Sequence, residues 1–166
     1  MDSVLVVDDN HANLEMIGEF LKQLNYEVRV ATNGEAALES VKMQHPNIIL
    51  MDIHMPKLDG YETCKLLKAD PATKNIPVVF ISAMSDMYNK KLGFEAGAVD
   101  YIIKPLSLEE LQARVAVHLE LAHRMKELET FNKAMIEREM RIIELKKEVN
   151  TLAQAQSKDI PYPEVQ

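Results

Sequence analysis

Three short segments, Val4-Leu5-Val6-Val7, Ile48-Ile49-Leu50-Met51 and Ile76 to Ile81, are apolar almost throughout and lack the alternation of a strand with one wet face. Strands of that kind are covered on both sides. Helical crossovers between parallel neighbours provide such cover, so the pattern calls for a parallel sheet. Two further runs, Val28-Arg29-Val30 and Tyr101-Ile102-Ile103, complete five candidate strands. The stretches between them are amphipathic and begin on capping patterns: Thr32 with Glu35, Asp59 with Glu62 and Ser107 with Glu110 each put an acceptor oxygen three residues before an acid. Five strands alternating with five helices fit into about 120 residues and predict an α/β fold.

Beyond Pro105 the chain changes character. All five glycines lie before that point, and from Ser107 to roughly Gln154 there is neither glycine nor proline, only good helix formers. One helix of this length would run for about 70 Å, several times what covers a sheet edge, so most of it is expected to project. It carries a seven-residue repeat: Leu121, Leu128, Met135, Ile142 and Val149 are apolar at every step, and the positions three residues on are Arg124, Phe131, Arg138, Leu145 and Leu152. The expected seam is therefore Leu121, Leu128, Phe131, Met135, Ile142, Leu145, Val149 and Leu152, interrupted by two arginines. Acid-first pairs four apart, such as Glu110 with Arg114, support the single helix and leave the direction of any pairing open. A hairpin is disfavoured because no glycine or proline marks a turn. The expected division is 1–122 for the α/β domain, 123–156 for a coiled-coil extension and 157–166 for a flexible tail, where Ile160-Pro161-Tyr162-Pro163 reads as extended.

Several function classes are excluded by composition. With 26 acidic and 19 basic residues the net charge is −7, and no basic surface suited to a phosphate backbone is evident, so direct nucleic-acid binding is not expected. The start Met1-Asp2-Ser3 has no basic region and the apolar runs are short, so neither a secretory signal nor a membrane span is expected. Cys64 is the only cysteine, which rules out an internal disulfide and suits a reducing compartment; the expectation is a cytoplasmic protein with Cys64 inert on a helix. His118 and His123, five apart, fall on different helix faces and read as solvated residues rather than a zinc pair.

The chemistry concentrates at the predicted strand ends. Asp8 and Asp9 follow the first strand and Asp52 the third, and in a doubly wound sheet the carboxyl ends of strands open onto the ligand crevice. Acids brought together there repel one another, and Mg²⁺ relieves the repulsion. The bland alternative is that Asp8-Asp9 caps the next helix. Ser82-Ala83 follows the fourth strand and Lys104-Pro105 the fifth, adding a hydroxyl donor and an ammonium, so the ordered set describes an anion-handling site.

In the order and spacing of Val4 to Asp9, Ile49 to Pro56 with Asp59-Gly60, Ile81-Ser82-Ala83 and Gly97 to Pro105, the sequence resembles the receiver domain of two-component response regulators over roughly residues 2–122. The resemblance implies a flavodoxin-like (βα)5 sheet of order 2-1-3-4-5, with the last helix extended into a coiled coil. It implies that Asp52 accepts a phosphoryl group from a sensor histidine kinase or a histidine phosphotransfer protein. Asp9, Asp52 and the backbone carbonyl of His54 would ligate Mg²⁺, with Asp8 acting through a metal-bound water. Lys104 would place a charge on the phosphoryl group, Ser82 would bind it, and Tyr101 would turn inward behind it as the switch. A cis bond before Pro105 would aim Lys104. His54 and Met84 occupy positions that tune aspartyl-phosphate lifetime, and Met84, with no water-positioning group, implies slow self-dephosphorylation. The expected output is a change in homodimer geometry or partner contact, by a phosphoacceptor rather than a turnover enzyme. Two rivals are a coiled-coil scaffold that uses a receiver for docking, and a Mg²⁺-dependent aspartyl-phosphate phosphatase; the second wants an acid two residues after the nucleophile, where this chain has His54.

Overall fold

A computed structural model describes residues 1–83, 90–156, 159, 161 and 162; Met84, Ser157, Ile160 and Pro163 lie outside them. Among the described residues the order is β1 (Ser3–Val7), α1 (His11–Gln23), β2 (Glu27–Ala31), α2 (Gly34–Met43), β3 (Ile48–Asp52), α3 (Gly60–Ala69), β4 (Val78–Ser82), α4 (Lys90–Glu95), β5 (Asp100–Ile103) and α5 (Leu108–Ala155). The strands form one parallel sheet of order β2-β1-β3-β4-β5, the flavodoxin-like arrangement.

The unbroken apolar runs are explained by two packed faces. Successive strand residues point to opposite sides, so Leu5, Val7, Ile49, Met51 and Phe80 pack with Ala37, Val41, Cys64 and Leu67 from α2 and α3. On the other side Val4, Val6, Ile48, Leu50, Val79 and Ile102 pack with Leu14, Ile17 and Leu21 of α1 and with Leu111, Val115 and Leu119 of α5. Every residue of β1, β3 and β4 is buried. Each large apolar side chain so buried contributes about 1.5–3 kcal/mol against exposure. β2, at the sheet edge, is only partly covered, and Arg29 within it donates to Ser40 O at 2.8 Å.

Two of the three capping expectations hold. Asp59 and Glu62 form a reciprocal capping box on α3, and Ser107 Oγ accepts from Glu110 N at 3.3 Å. At α2 the cap is Asn33 rather than Thr32: its side chain accepts from Ala36 N at 2.8 Å, because the helix starts one residue later than the Thr32 pattern requires.

The chain divides into two compact units, Met1–Ala122 and His123–Gln166. In the first, the buried residues of α5 are all in its opening turns, Leu111, Val115 and Leu119. The eight predicted seam residues, Leu121 through Leu152, are exposed by 41% to 62%. Arg141, in the second unit, pairs with Glu144 at 3.1 Å and Glu148 at 3.7 Å. Near the chain end Asn150 holds the backbone of Tyr162 by two hydrogen bonds, of 3.0 and 3.2 Å, and Lys146 lies 5.6 Å from the Tyr162 ring centroid. No helix among the described residues is long and apolar enough to cross a membrane.

Candidate functional site

Parallel strands in register end at one edge. Val7 is paired with Met51, Asp52 with Ile81, and Ser82 with Ile103, so Asp8, Asp52, Ser82 and Lys104 stand at or one residue past the carboxyl ends of four adjacent strands. Side-chain oxygens of Asp8, Asp9 and Asp52 all lie within 4.8 Å of one another. Asp8 and Asp52 are buried, with 1% and 5% exposure, while Asp9 is open to solvent. Three acids in such proximity need a counter-charge.

Part of it comes from Lys104, whose Nζ donates to Asp52 Oδ1 at 2.8 Å and lies 3.5 Å from Asp8 Oδ2. Its backbone N donates to Ser82 O at 2.8 Å, and the Lys104–Pro105 peptide is cis. Asp8 is oriented from below: Oδ1 accepts from Asn10 N at 2.8 Å and Oδ2 from the Asn13 side-chain amide at 3.0 Å. The helix after the Asp-Asp pair is capped by Asn10, which accepts from Ala12 N and Asn13 N. Helix capping therefore does not account for the two acids.

Burial raises the Asp52 carboxyl above its usual range, and Asp8 and Asp9 push the same way against the pull of Lys104. For Lys104 burial works downward but is outweighed by Asp52 and Asp8, so its ammonium is held more firmly than usual. Two buried acids and one exposed acid against a single ammonium leave negative charge uncompensated, and an all-oxygen donor set of this kind fits a hard cation such as Mg²⁺. His54 lies two residues beyond Asp52 with its side chain exposed.

Ser82 is 2% exposed and Tyr101 4%. The Tyr101 ring already lies inward, 5.5 Å from the Phe80 centroid and 5.3 Å from that of Phe94, the latter edge-on. Its seat depends on Gly93, where a Cβ would overlap the Tyr101 hydroxyl. Gly60 is needed for a related reason: a Cβ there would run into the Asp52 and Ile53 backbone, and Gly60 N donates to Ile53 O at 2.9 Å, which closes the loop after the phosphoacceptor candidate. The seam residues of α5 are not part of this cluster.

Sequence reading missed a second network. Asp100, at the head of β5, accepts from Arg114 Nη1 at 2.6 Å and from its neighbour Tyr101 N at 2.8 Å, and lies 2.9 Å from His118 Nε2, while Arg114 Nε donates to Glu110 at 2.9 Å. His118 is thus a largely buried tertiary partner and not a solvated helix-face residue, its side chain 13% exposed. Burial works to raise the Asp100 carboxyl but is outweighed by His118, the Tyr101 backbone and Arg114, so it sits below its usual range. Only the Glu110/Arg114 spacing hinted at this. Cys64 is buried, donates to Ala96 O at 3.3 Å, and has its thiol pushed up by burial to about 11, so it is unreactive at neutral pH.

Comparison with known proteins agrees with this geometry. The family model for the response regulator receiver domain matches residues 4–116. The chain is 42% identical over 112 residues to the response regulator PleD of Caulobacter vibrioides, which covers 68% of this chain and 25% of that protein. It is 39% identical over 112 residues to the probable transcriptional regulator ycf27 of Cyanophora paradoxa, covering 68% of this chain and 46% of that one. Among solved structures, chemotaxis protein CheY4 of Vibrio cholerae superposes with a TM-score of 0.67 at 28% identity, covering 70% of this chain and 97% of that chain. The match thus spans less than half the length of these two curated relatives and nearly all of the single-domain structure. Acids, lysine and hydroxyl at the ends of adjacent parallel strands, together with the match over residues 4–116, establish that the chain belongs to the response regulator receiver domain family.

Proposed function

We propose that Asp52 accepts a phosphoryl group from a sensor histidine kinase or histidine phosphotransfer protein, and that the modified protein signals through its last helix. An Asp52 oxygen attacks phosphorus, the phosphorus–nitrogen bond to the donor imidazole breaks, and an acyl phosphate forms on the aspartate. Asp9, Asp52 and the carbonyl of His54 would hold Mg²⁺ directly, and Asp8 would reach it through water. The metal, when bound, neutralises charge on the transferring oxygens. Lys104, which donates to Asp52, would follow the phosphoryl group, and Ser82 at the adjacent strand end would offer it a hydroxyl. The Asn10 amide and the Asn13 side chain keep Asp8 turned toward the cluster.

The observation that carries this reading is the meeting of Asp8, Asp9 and Asp52 within 4.8 Å. Residues 1–122 serve as the receiver, 123–156 as a coiled-coil extension joining two copies, and 157–166 as a tail; Ser82 and Tyr101 form the switch. The lone buried thiol and a kinase donor support a cytoplasmic location. His54 in place of a second acid favours a stoichiometric acceptor over a phosphatase. The test is uptake of phosphate from acetyl phosphate with Mg²⁺: the natural protein should label and Asp52→Asn should not. Equal labelling of the two would overturn the assignment, and turnover of a simple phosphoester would favour the phosphatase.

A further inference from the structure

Exposed seam residues on α5 leave the direction of pairing to the charges around them. With Leu121 and each seventh residue as position a, position d holds Arg124, Phe131, Arg138, Leu145 and Leu152. In a parallel pair each d residue meets its own counterpart, so Arg124 and Arg138 would make two layers of facing guanidinium groups. The flanking g and e′ positions would set Glu120 against Met125, Glu127 against Asn132, Ala134 against Glu139 and Arg141 against Lys146. That direction offers no opposite-charge pair and one like-charge pair, each counted twice by symmetry.

An antiparallel pair centred near Lys133 puts a residues against d residues. Leu121 then faces Leu145 of the partner subunit, Phe131 faces Met135 of the partner subunit, and the arginines fall opposite Leu128 and Ile142, where their stems can pack and their heads reach water. Glu127 lies against Arg141 of the partner subunit, an attractive pair that occurs twice. The opposing cost, Glu120 near Glu148 of the partner subunit, falls toward the ends of the overlap. Glu127 and Arg141 are exposed and pair along their own helix, Glu127 with Arg124 at 3.5 Å and Arg141 with Glu144 at 3.1 Å and Glu148 at 3.7 Å; such solvent-exposed pairs are weak and can exchange for a pair across an interface. Resting on the dimer reading above, we infer that the occupant of this face is a second copy of the chain in antiparallel orientation, with Glu127 paired to Arg141.

Disulfide trapping in the full chain tests this, since Cys64 is buried and leaves the added thiols as the reactive ones. Leu121→Cys mixed with Leu145→Cys should form a crosslinked heterodimer at least tenfold more than either variant alone. Leu128→Cys with Arg138→Cys repeats the test should the first pair fold poorly. Strong self-crosslinking of each single variant, with no gain on mixing, overturns the antiparallel inference and leaves the dimer standing. A monomer by sedimentation at tens of micromolar overturns the dimer reading itself. Glu127→Lys should weaken association about tenfold and Glu127→Lys with Arg141→Glu should restore it, whereas in a parallel pair position 127 faces Asn132 and the reversal has no partner to repel.

Discussion

Asp52 is held in a costly state. It is buried beside Asp8 and Asp9, and Lys104 compensates in part, so its carboxyl is raised and the ionised form destabilises the folded chain as pH rises through that raised value. Asp52→Asn should therefore raise the free energy of unfolding by urea at pH 7 without divalent cation, by on the order of 1 kcal/mol, and Mg²⁺ should stabilise the natural protein more than this variant. A fall in midpoint on substitution would show that the Lys104 contact outweighs the repulsion. Asp100 works in the opposite sense. Its carboxyl is depressed from its ordinary value of 3.8, so its contribution is fully present above that value and fades as pH falls through the lower folded value. Urea midpoints between pH 5 and pH 2 should fall more steeply for the natural protein than for Asp100→Asn; parallel curves would dismiss the network as a source of acid sensitivity.

Among the elements, α4 and β5 meet tightly at Tyr101. Tyr101 is buried beneath Gly93 and Phe94, with no room for a side chain at position 93. Gly93→Ala must displace the ring, at a cost of about 1–3 kcal/mol by overpacking, partly offset by the better helix propensity of alanine. The expected readout is increased acrylamide quenching of tyrosine fluorescence together with a lower melting temperature, while the far-ultraviolet dichroism of α5 is unchanged. Unaltered quenching would mean that α4 yields instead of Tyr101. α1 and α2 teach a different lesson. Asparagine caps both, Asn10 and Asn33, and the acids at Asp8 and Asp9 are left to the crevice.

For the whole molecule, the decisive fact is where α5 stops contributing to the core. Among the described residues its last buried one is Leu119, and Met1–Ala122 forms a compact unit by itself. A chain ending at residue 122 should fold cooperatively with a melting temperature within a few degrees of the full chain measured at monomeric concentration, and should retain phosphate uptake at Asp52. Loss of cooperative unfolding would show that the second unit is part of the folding domain.

Much of this was written in residue order. Unbroken apolar runs determined a parallel sheet, because only strands covered on both faces can be apolar at every position, and glycine- and proline-free chain after Pro105 determined one long helix. The strand-end positions of Asp8, Asp9, Asp52, Ser82 and Lys104 were equally legible, since register in a parallel sheet aligns carboxyl ends. Only tertiary structure decided that Asn33 rather than Thr32 caps α2, that His118 and Arg114 close on Asp100, and that Gly93 makes room for Tyr101. The cap turns on where the helix begins, which two adjacent capping residues leave open; the other two turn on side chains brought together from different elements, and local patterns of hydrophobicity and capping carry no record of which distant groups will meet.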